Sequence, residues 1–240
     1  AAKANRHVLS ASVAHNSLRC RISPALTAGT AGLMPGAMEI EPRSESHAEV
    51  LRAIAARREA LRAACAEELS RVGQGLTLEL GCGHGHYLTA YAEAHPEAFC
   101  VGIDLITKRI EKARAKAEKR GLEGRLVFLK AEAMDFLEVL EPAVRLERVF
   151  MLFPDPWPKK RHARRRMVQP GLLDALAARM EPGARFYFRS DDAANCQWAR
   201  DRLAEHPAFA LVEPVAWPFE ESSYFQAMME RWESIEAGRV

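Results

Sequence analysis

Cysteine is sparse and unpatterned in this chain. Five occur in 240 residues, at positions 20, 65, 82, 100 and 196. The number is odd and no Cys-x-x-Cys pair exists, which argues against a disulfide framework and a zinc site and fits a reducing compartment. Long apolar runs are lacking too: no stretch approaches the ~20 residues that would span a bilayer. There is no internal repeat and no low-complexity tract. Acidic residues are missing up to Met38, where Lys3, Arg6, Arg19 and Arg21 stand among many Ala and Ser. That composition resembles a transit peptide. It also fits an upstream extension, because the chain lacks an initial Met and Met34 or Met38 would serve as a start. Residues 1–43 are therefore expected to be a disordered arm, and residues 44–240 one domain. A second full domain is not expected at this length, and 48% apolar content is ordinary for a soluble globular protein.

What is present begins with a helix from Ser46, where Ser46 and Glu49 form a capping-box pattern and Leu51, Ile54, Leu61, Cys65 and Leu69 recur at helical spacing. It should end near Gly73. Leu76 to Leu80 then reads as a strand, followed by a glycine loop and a helix from about His86 to Ala94. Phe99 to Asp104 is a second strand, with a helix from about Thr107 to Arg120 behind it. Arg125 to Lys130 is a third strand, Met134 to Leu140 a short helix and Leu146 to Phe153 a fourth strand. Gln169-Pro170 opens a helix with Pro in its first turn. Ala184 to Arg189 is the fifth strand and Ala193 to about Glu205 a last helix. Strands alternating with helices imply βαβ units: an α/β, Rossmann-like, mostly parallel twisted sheet with helices on both faces.

Gly81-x-Gly83-x-Gly85 follows the first strand and precedes a helix, so the backbone can approach a ligand closely at the strand's end. A dinucleotide site favours G-x-G-x-x-G; here the third glycine comes one residue early. Glu79, two residues before the loop, would repel a pyrophosphate and attract a cation. S-adenosylmethionine carries an ammonium and a sulfonium, and E-x-G-x-G-x-G is the usual shape of its binding loop. Asp104, ending the second strand, is placed to accept from ribose hydroxyls. Glu132, just past the third strand, is placed to accept from an adenine amino group. Each acid alone is equally a solvated loop residue; three at successive strand ends are harder to dismiss. His84 and His86 lack a third ligand at usable spacing, so no metal site is expected.

The fourth strand runs into Phe153-Pro-Asp-Pro-Trp-Pro-Lys-Lys-Arg-His-Ala-Arg-Arg-Arg166. Prolines 154, 156 and 158 bar helix and imply a stiff, extended loop. Asp155 and Trp157 are thereby held at a strand's carboxyl end, where open α/β sheets place ligands. Asp155 reads either as a turn residue or as an acceptor for a base N–H, and Trp157 as a core aromatic or a base-stacking wall. Six of the eight residues from Lys159 to Arg166 are Lys or Arg, while the net charge is only +2. A charge run is often merely solvated or a localisation signal. Attached to the candidate site, this one is expected to bind phosphates of a polyanion.

Leu78-Glu-Leu-Gly-Cys-Gly-His-Gly85, Gly102-Ile-Asp104, the proline–tryptophan–basic block and Arg189-Ser-Asp191 resemble, in this order, the tRNA guanine-N7-methyltransferase family, from about Thr77 to Asp192. The basic block is specific to that family; the glycine loop indicates only a class I methyltransferase. The resemblance implies methyl transfer from S-adenosylmethionine to N7 of the variable-loop guanine of tRNA, in the cytoplasm, or in an organelle if residues 1–38 are a transit peptide. It implies Glu79, Gly81, Gly83, Gly85, Asp104, Glu132 and Asp155 as cofactor residues and Asp155 as the catalytic one. Lys159, Arg161, Arg164, Arg165 and Asp191 would contact substrate. No metal or membrane is implied, and the protein would act as a monomer or with a partner subunit. Two departures stand out. The family's Thr-x-(Tyr/Phe)-Glu substrate motif is degraded to Ser222-Ser223-Tyr224-Phe225, leaving Ser222 and Tyr224 as substrate candidates. The chain also ends at Val240, about where the family's last strand would begin, so a missing strand and an exposed sheet edge are expected. Alternatives are an exocyclic-amine methyltransferase of adenine or cytosine, a catalytically silent RNA-binding protein of the same fold, and, more distantly, a nicotinamide dehydrogenase.

Overall fold

The computed structural model describes residues 44–73, 75–221 and 228–240. The expected arm, Ser222 and Tyr224 lie outside the described residues. Seven strands form one sheet: β1 (Gly75–Leu80), β2 (Cys100–Asp104), β3 (Leu126–Lys130), β4 (Arg145–Leu152), β5 (Met180–Ser190), β6 (Phe209–Leu211) and β7 (Glu233–Arg239). Their order is β3-β2-β1-β4-β5-β7-β6. The first five run parallel, and β7 inserts antiparallel between β5 and β6. The chain reverses its winding between β1 and β4, and α/β sheets place ligands outside the carboxyl ends of strands at such a point.

The helices are α1 (Glu45–Glu68), α2 (His86–Ala94), α3 (Thr107–Lys119), α4 (Ala133–Val139), α5 (Pro170–Ala177) and α6 (Ala193–Glu205). Strand residues alternate between two apolar layers, as a sheet buried on both faces requires. Leu76, Leu78 and Leu80 of β1, with Val149 and Met151 of β4, join Leu61, Phe136, Leu173 and Leu203 on one face. Phe128 of β3, Phe150 and Leu152 of β4 and Tyr187 of β5 join Tyr87, Tyr91 and Ile110 on the other. On that second face Trp217 and Phe219 also pack against the aromatic layer, at 5.4 Å from Tyr187 and 6.0 Å from Tyr87 respectively.

The structure corrects three expectations. The last strand is present: β7 pairs residue by residue with β5 from Arg185↔Gly238 to Ser190↔Glu233. The cap of α1 lies two residues earlier than Ser46, with Ser44 Oγ accepting from the His47 amide at 3.2 Å. Third, the proline segment is not simply extended. Phe153 and Trp157 adopt φ of 49° and 44°, which bulky L-residues rarely do, so the chain bends on either side of Pro154–Pro156. It then closes into a 3₁₀ helix at Lys160–Arg165.

Arg166, read with the phosphate-binding run, is a structural residue. It is buried, and its guanidinium donates from Nε to the Pro156 carbonyl at 2.9 Å and from Nη1 to the Ala194 carbonyl at 3.0 Å. It also lies 5.4 Å from the centre of the Trp198 ring. Arg166→Ala should therefore lower stability by about 2–3 kcal/mol, since two hydrogen bonds from a buried charged group would be lost. Exposed Arg164→Ala should change it by less than about 0.5 kcal/mol. Equal denaturation midpoints for the two variants would contradict this division of the basic run.

Candidate active site

β1 delivers Glu79 to the centre of the site. Its register partners are Gly102 on β2 and Phe150 on β4, and it is 3% exposed, with Oε2 buried and without a hydrogen-bond partner among the described residues. The local sequence gives Glu79 one compensation. The N-cap of α2 is Gly85, which has no side chain to satisfy the first-turn amides, and the Leu88 amide of that turn favours the ionised form of the Glu79 carboxyl. Burial nevertheless dominates: it pushes the Glu79 pKa up to about 8, the Leu88 amide and the Lys116 charge pulling down and Asp104 pushing up. A buried carboxyl with an unused oxygen, aimed into a glycine loop, is suited to a cationic ligand.

The loop itself is a cradle. Gly81, Gly83 and Gly85 have φ of 77°, 56° and 66°. A Cβ at Gly81 or Gly83 would meet nothing within 4 Å, whereas one at Gly85 would stand 2.5 Å from the Phe128 ring. The first two glycines thus keep ligand space open and the third lets α2 close against the sheet. Asp104, ending β2, ties the cradle down: Oδ2 accepts from the Gly83 amide at 3.1 Å and Oδ1 from the Ile106 amide at 2.8 Å. From α3, Lys116 donates to the His84 carbonyl at 2.9 Å. Glu132 caps α4, with Oε2 accepting from the Met134 and Asp135 amides at 2.8 and 3.0 Å; Oε1 makes neither capping bond. Asp135 in turn is clasped by Arg57 and Arg58 of α1, at 2.8 and 2.7 Å through their Nε atoms. The first helix thereby braces the wall that carries Glu132.

The second half of the site is the loop after β4. Asp155 is exposed between its two prolines, and Lys159, Arg161, Arg164 and Arg165 are exposed beyond it. Trp157 is half-buried, with the Arg165 guanidinium 4.9 Å from its ring centre and the His162 ring edge-on at 5.8 Å. Partial desolvation, then the charges of Arg165, Arg161, Lys159 and Arg164, hold the His162 pKa below its usual value. Asp191 is exposed just past β5, while its neighbour Asp192 is spent on capping α6 through the Asn195 amide at 2.7 Å.

The profile of a family described as "Putative methyltransferase" matches residues 73–234. The tRNA (guanine-N(7)-)-methyltransferase of Rhodospirillum rubrum is 35% identical over 168 residues, 68% of this chain and 64% of that enzyme. The enzyme of the same name from Synechococcus sp. (strain JA-3-3Ab) is 33% identical over 168 residues, 70% of each. The chain belongs to the tRNA (guanine-N7-)-methyltransferase family. It spans just under two thirds of the Rhodospirillum rubrum relative. Among solved structures, TrmN from Thermus thermophilus superposes with a TM-score of 0.50 at 20% identity, covering 76% of this chain and 48% of that one. The aminoglycoside resistance methyltransferase NpmB1 does so with a TM-score of 0.50 at 16% identity, covering 75% and 93%. These two likenesses establish the fold.

Seen as a member of this family, the chain brings Glu79, the three glycines, Asp104 and Glu132 to successive strand ends, with the Asp155 loop at the neighbouring strand β4. Sequence reasoning missed the apolar rim. Leu105, Ile106 and Met134 are exposed large side chains within two residues of Asp104 and Glu132. An apolar pair in the turn before α3, where polar residues are the norm, was the available signal. Lys116 was missed as well, since nothing local marks a cation that reaches back to a loop. Among the described residues no group of three His, Cys, Asp or Glu could hold a metal, and no helix is long and apolar enough to cross a membrane.

Proposed function

We propose that the protein is a tRNA (guanine-N7-)-methyltransferase using S-adenosylmethionine, acting on the variable-loop guanine in the cytoplasm. The observation that carries this reading is the buried, half-satisfied Glu79 behind an open glycine cradle, beside a strained proline–tryptophan loop that continues into exposed cations. When bound, S-adenosylmethionine supplies an electrophilic methyl group on a sulfonium. Glu79 would hold its ammonium, Gly81 and Gly83 admit its amino-acid portion, Asp104 accept from the ribose hydroxyls and Glu132 Oε1 from the adenine amine. Leu105, Ile106 and Met134 would wall the adenine.

Guanine N7 is an unprotonated acceptor, so no residue has to remove a proton before it attacks. The chain's contribution is then positioning and exclusion of water, effects worth roughly 7 kcal/mol or more in well-oriented reactions. Asp155 would face the sulfonium, accept from the guanine N1 or N2 hydrogens and offset the positive charge that develops on the ring. Trp157, with Arg165 over it, offers a stacking face. Lys159, Arg161, Arg164, Arg165 and Asp191 would fix the tRNA around it, and so would Ser222 and Tyr224.

The test is incorporation of labelled methyl into an unmodified tRNA transcript, beside one whose variable-loop guanine is adenine. Incorporation confined to the first, with 7-methylguanosine on digestion, is expected; a methylated exocyclic amine would refute the reading. The basic run gives a second expectation. Replacing Arg161, Arg164 and Arg165 by Gln should weaken tRNA binding and flatten the plot of log affinity against log salt by as much as roughly 0.7 to 0.9 for each phosphate no longer neutralised. An unchanged slope would exclude these three side chains from phosphate binding.

A further inference from the structure

We propose that Arg189 is a positioning residue that locks the turn leading to Asp155 onto the strap formed by Ala216–Glu220; the role rests on the reading of Asp155 given above. Arg189 stands on the last rung of the β4–β5 pairing, opposite Leu152, and opposite Ser234 of β7. Its side chain is buried to 3% exposure. Nε donates to Ser234 Oγ at 2.9 Å, Nη2 donates to Glu220 Oε1 at 2.8 Å, and the guanidinium carbon lies 3.6 Å from the centre of the Trp217 ring. Its main-chain carbonyl accepts from the Phe153 amide at 2.8 Å. Phe153 is the residue whose positive φ aims the chain toward Pro154 and Asp155.

The strap is fixed from both ends. Glu236 of β7 accepts from the Ala216 amide at 2.9 Å while paired with Arg185, and the Tyr87 hydroxyl donates to the Phe219 carbonyl at 3.3 Å. Arg189 touches both the strap and the strained turn. Burying a guanidinium is unfavourable unless its hydrogens are matched, and a Leu or Met would fill the same sheet-face position below Trp217 without that penalty. What the guanidinium adds is direction. Its planar fork fixes the end of β5 against Ser234 and Glu220 at once, and so fixes the carbonyl on which the Phe153 turn hangs. A shift of about 1 Å in that turn would misplace Asp155, and misplacements of this size lower turnover by up to about a hundredfold.

The test compares the parent protein with Arg189→Met, Arg189→Lys and Glu220→Gln. Amide hydrogen exchange is read first. Arg189→Met should speed exchange of the Phe153 amide and of the strap while leaving Gly81, Gly83 and Gly85 unchanged. Single-turnover methyl transfer at saturating tRNA should fall by about tenfold to a hundredfold in Arg189→Met, with cofactor affinity unchanged. Arg189→Lys should recover only a small part of the rate, because a single ammonium lacks the planar fork that meets Ser234 and Glu220 at once, and Glu220→Gln should show a smaller loss, because its carboxylate is one of several partners of the guanidinium. Unaltered exchange at Phe153, or a rate loss that merely parallels a loss of cofactor affinity, would overturn the proposal. Should the parent protein methylate no tRNA, the proposed function fails on its own account and the exchange comparison alone decides whether Arg189 locks the turn.

Discussion

Asp155→Ala should lower methyl transfer at saturating tRNA by at least about a hundredfold while leaving S-adenosylmethionine affinity nearly unchanged. The asymmetry follows from what the side chain touches. Asp155 sits exposed at the tip of a loop whose shape is set by prolines 154, 156 and 158, by the turn at Phe153 and by Arg166 beneath Pro156. Its carboxylate therefore contributes little to folding, and its removal should shift stability by less than about 0.5 kcal/mol. The cofactor would keep Glu79, Asp104, Glu132 and the glycine cradle. The variant gives up a fixed acceptor for the guanine edge and a negative charge facing the methylated ring, and removing one preorganised electrostatic group of this kind costs on the order of 10²–10³ in turnover. Asp155→Asn separates the two contributions, because the amide oxygen still accepts a hydrogen bond but carries no charge. Near-normal turnover in the alanine variant, with tRNA methylation intact in the parent, would remove Asp155 from the mechanism.

The first four strands and their helices were legible in the sequence because each signal was local: an apolar run, a glycine or proline stop, a change of period. Helix α2 at His86–Ala94 and α6 at Ala193–Glu205 fall where the pattern placed them. Strand β7 was not legible. Its sequence, Glu-Ser-Ile-Glu-Ala-Gly-Arg, carries two acids and a glycine, and nothing in it announces that Glu236 is buried with Arg185 and the Ala216 amide as partners. Those partners lie tens of residues away, so the charge is neutralised by topology and not by pattern. Arg166 illustrates the reverse case: it is indistinguishable from Arg164 and Arg165 in the run, yet only Arg166 faces inward. The strap was invisible for the same reason, since Trp217 and Phe219 acquire their role only when β4, β5 and helix α2 bring Phe150, Tyr187, Tyr87 and Tyr91 into one aromatic layer.

Glu79→Gln should weaken cofactor binding and, in the absence of cofactor, make the protein more stable relative to its parent as pH rises. The sign comes from the direction of the shift. Burial, set against the Leu88 amide and Lys116 and reinforced by Asp104, raises the folded-state pKa to about 8 from an unfolded value of 4.5. Between those values the folded chain holds a proton that the unfolded chain has released, so this group's contribution to stability is full below about pH 4.5 and is lost as pH rises through about 8, with a slope approaching 1.4 kcal/mol per pH unit. Glutamine keeps the shape and abolishes the slope, so the gap between the two melting curves should open steadily from pH 5 to pH 8. Cofactor reverses the balance. An ammonium beside the carboxyl favours its ionised form, so binding near pH 7 should expel a proton from Glu79, and affinity should weaken as pH falls below about 8. The ligand's own amine titrates near pH 8 as well, which makes Glu79→Gln the necessary control: calorimetry in buffers of different ionisation heat should show a proton released to buffer by the parent and not by the variant. Equal proton release in both would mean that Glu79 is already ionised in the empty cradle, and that its buried oxygen is satisfied by something other than the ligand it is proposed to await.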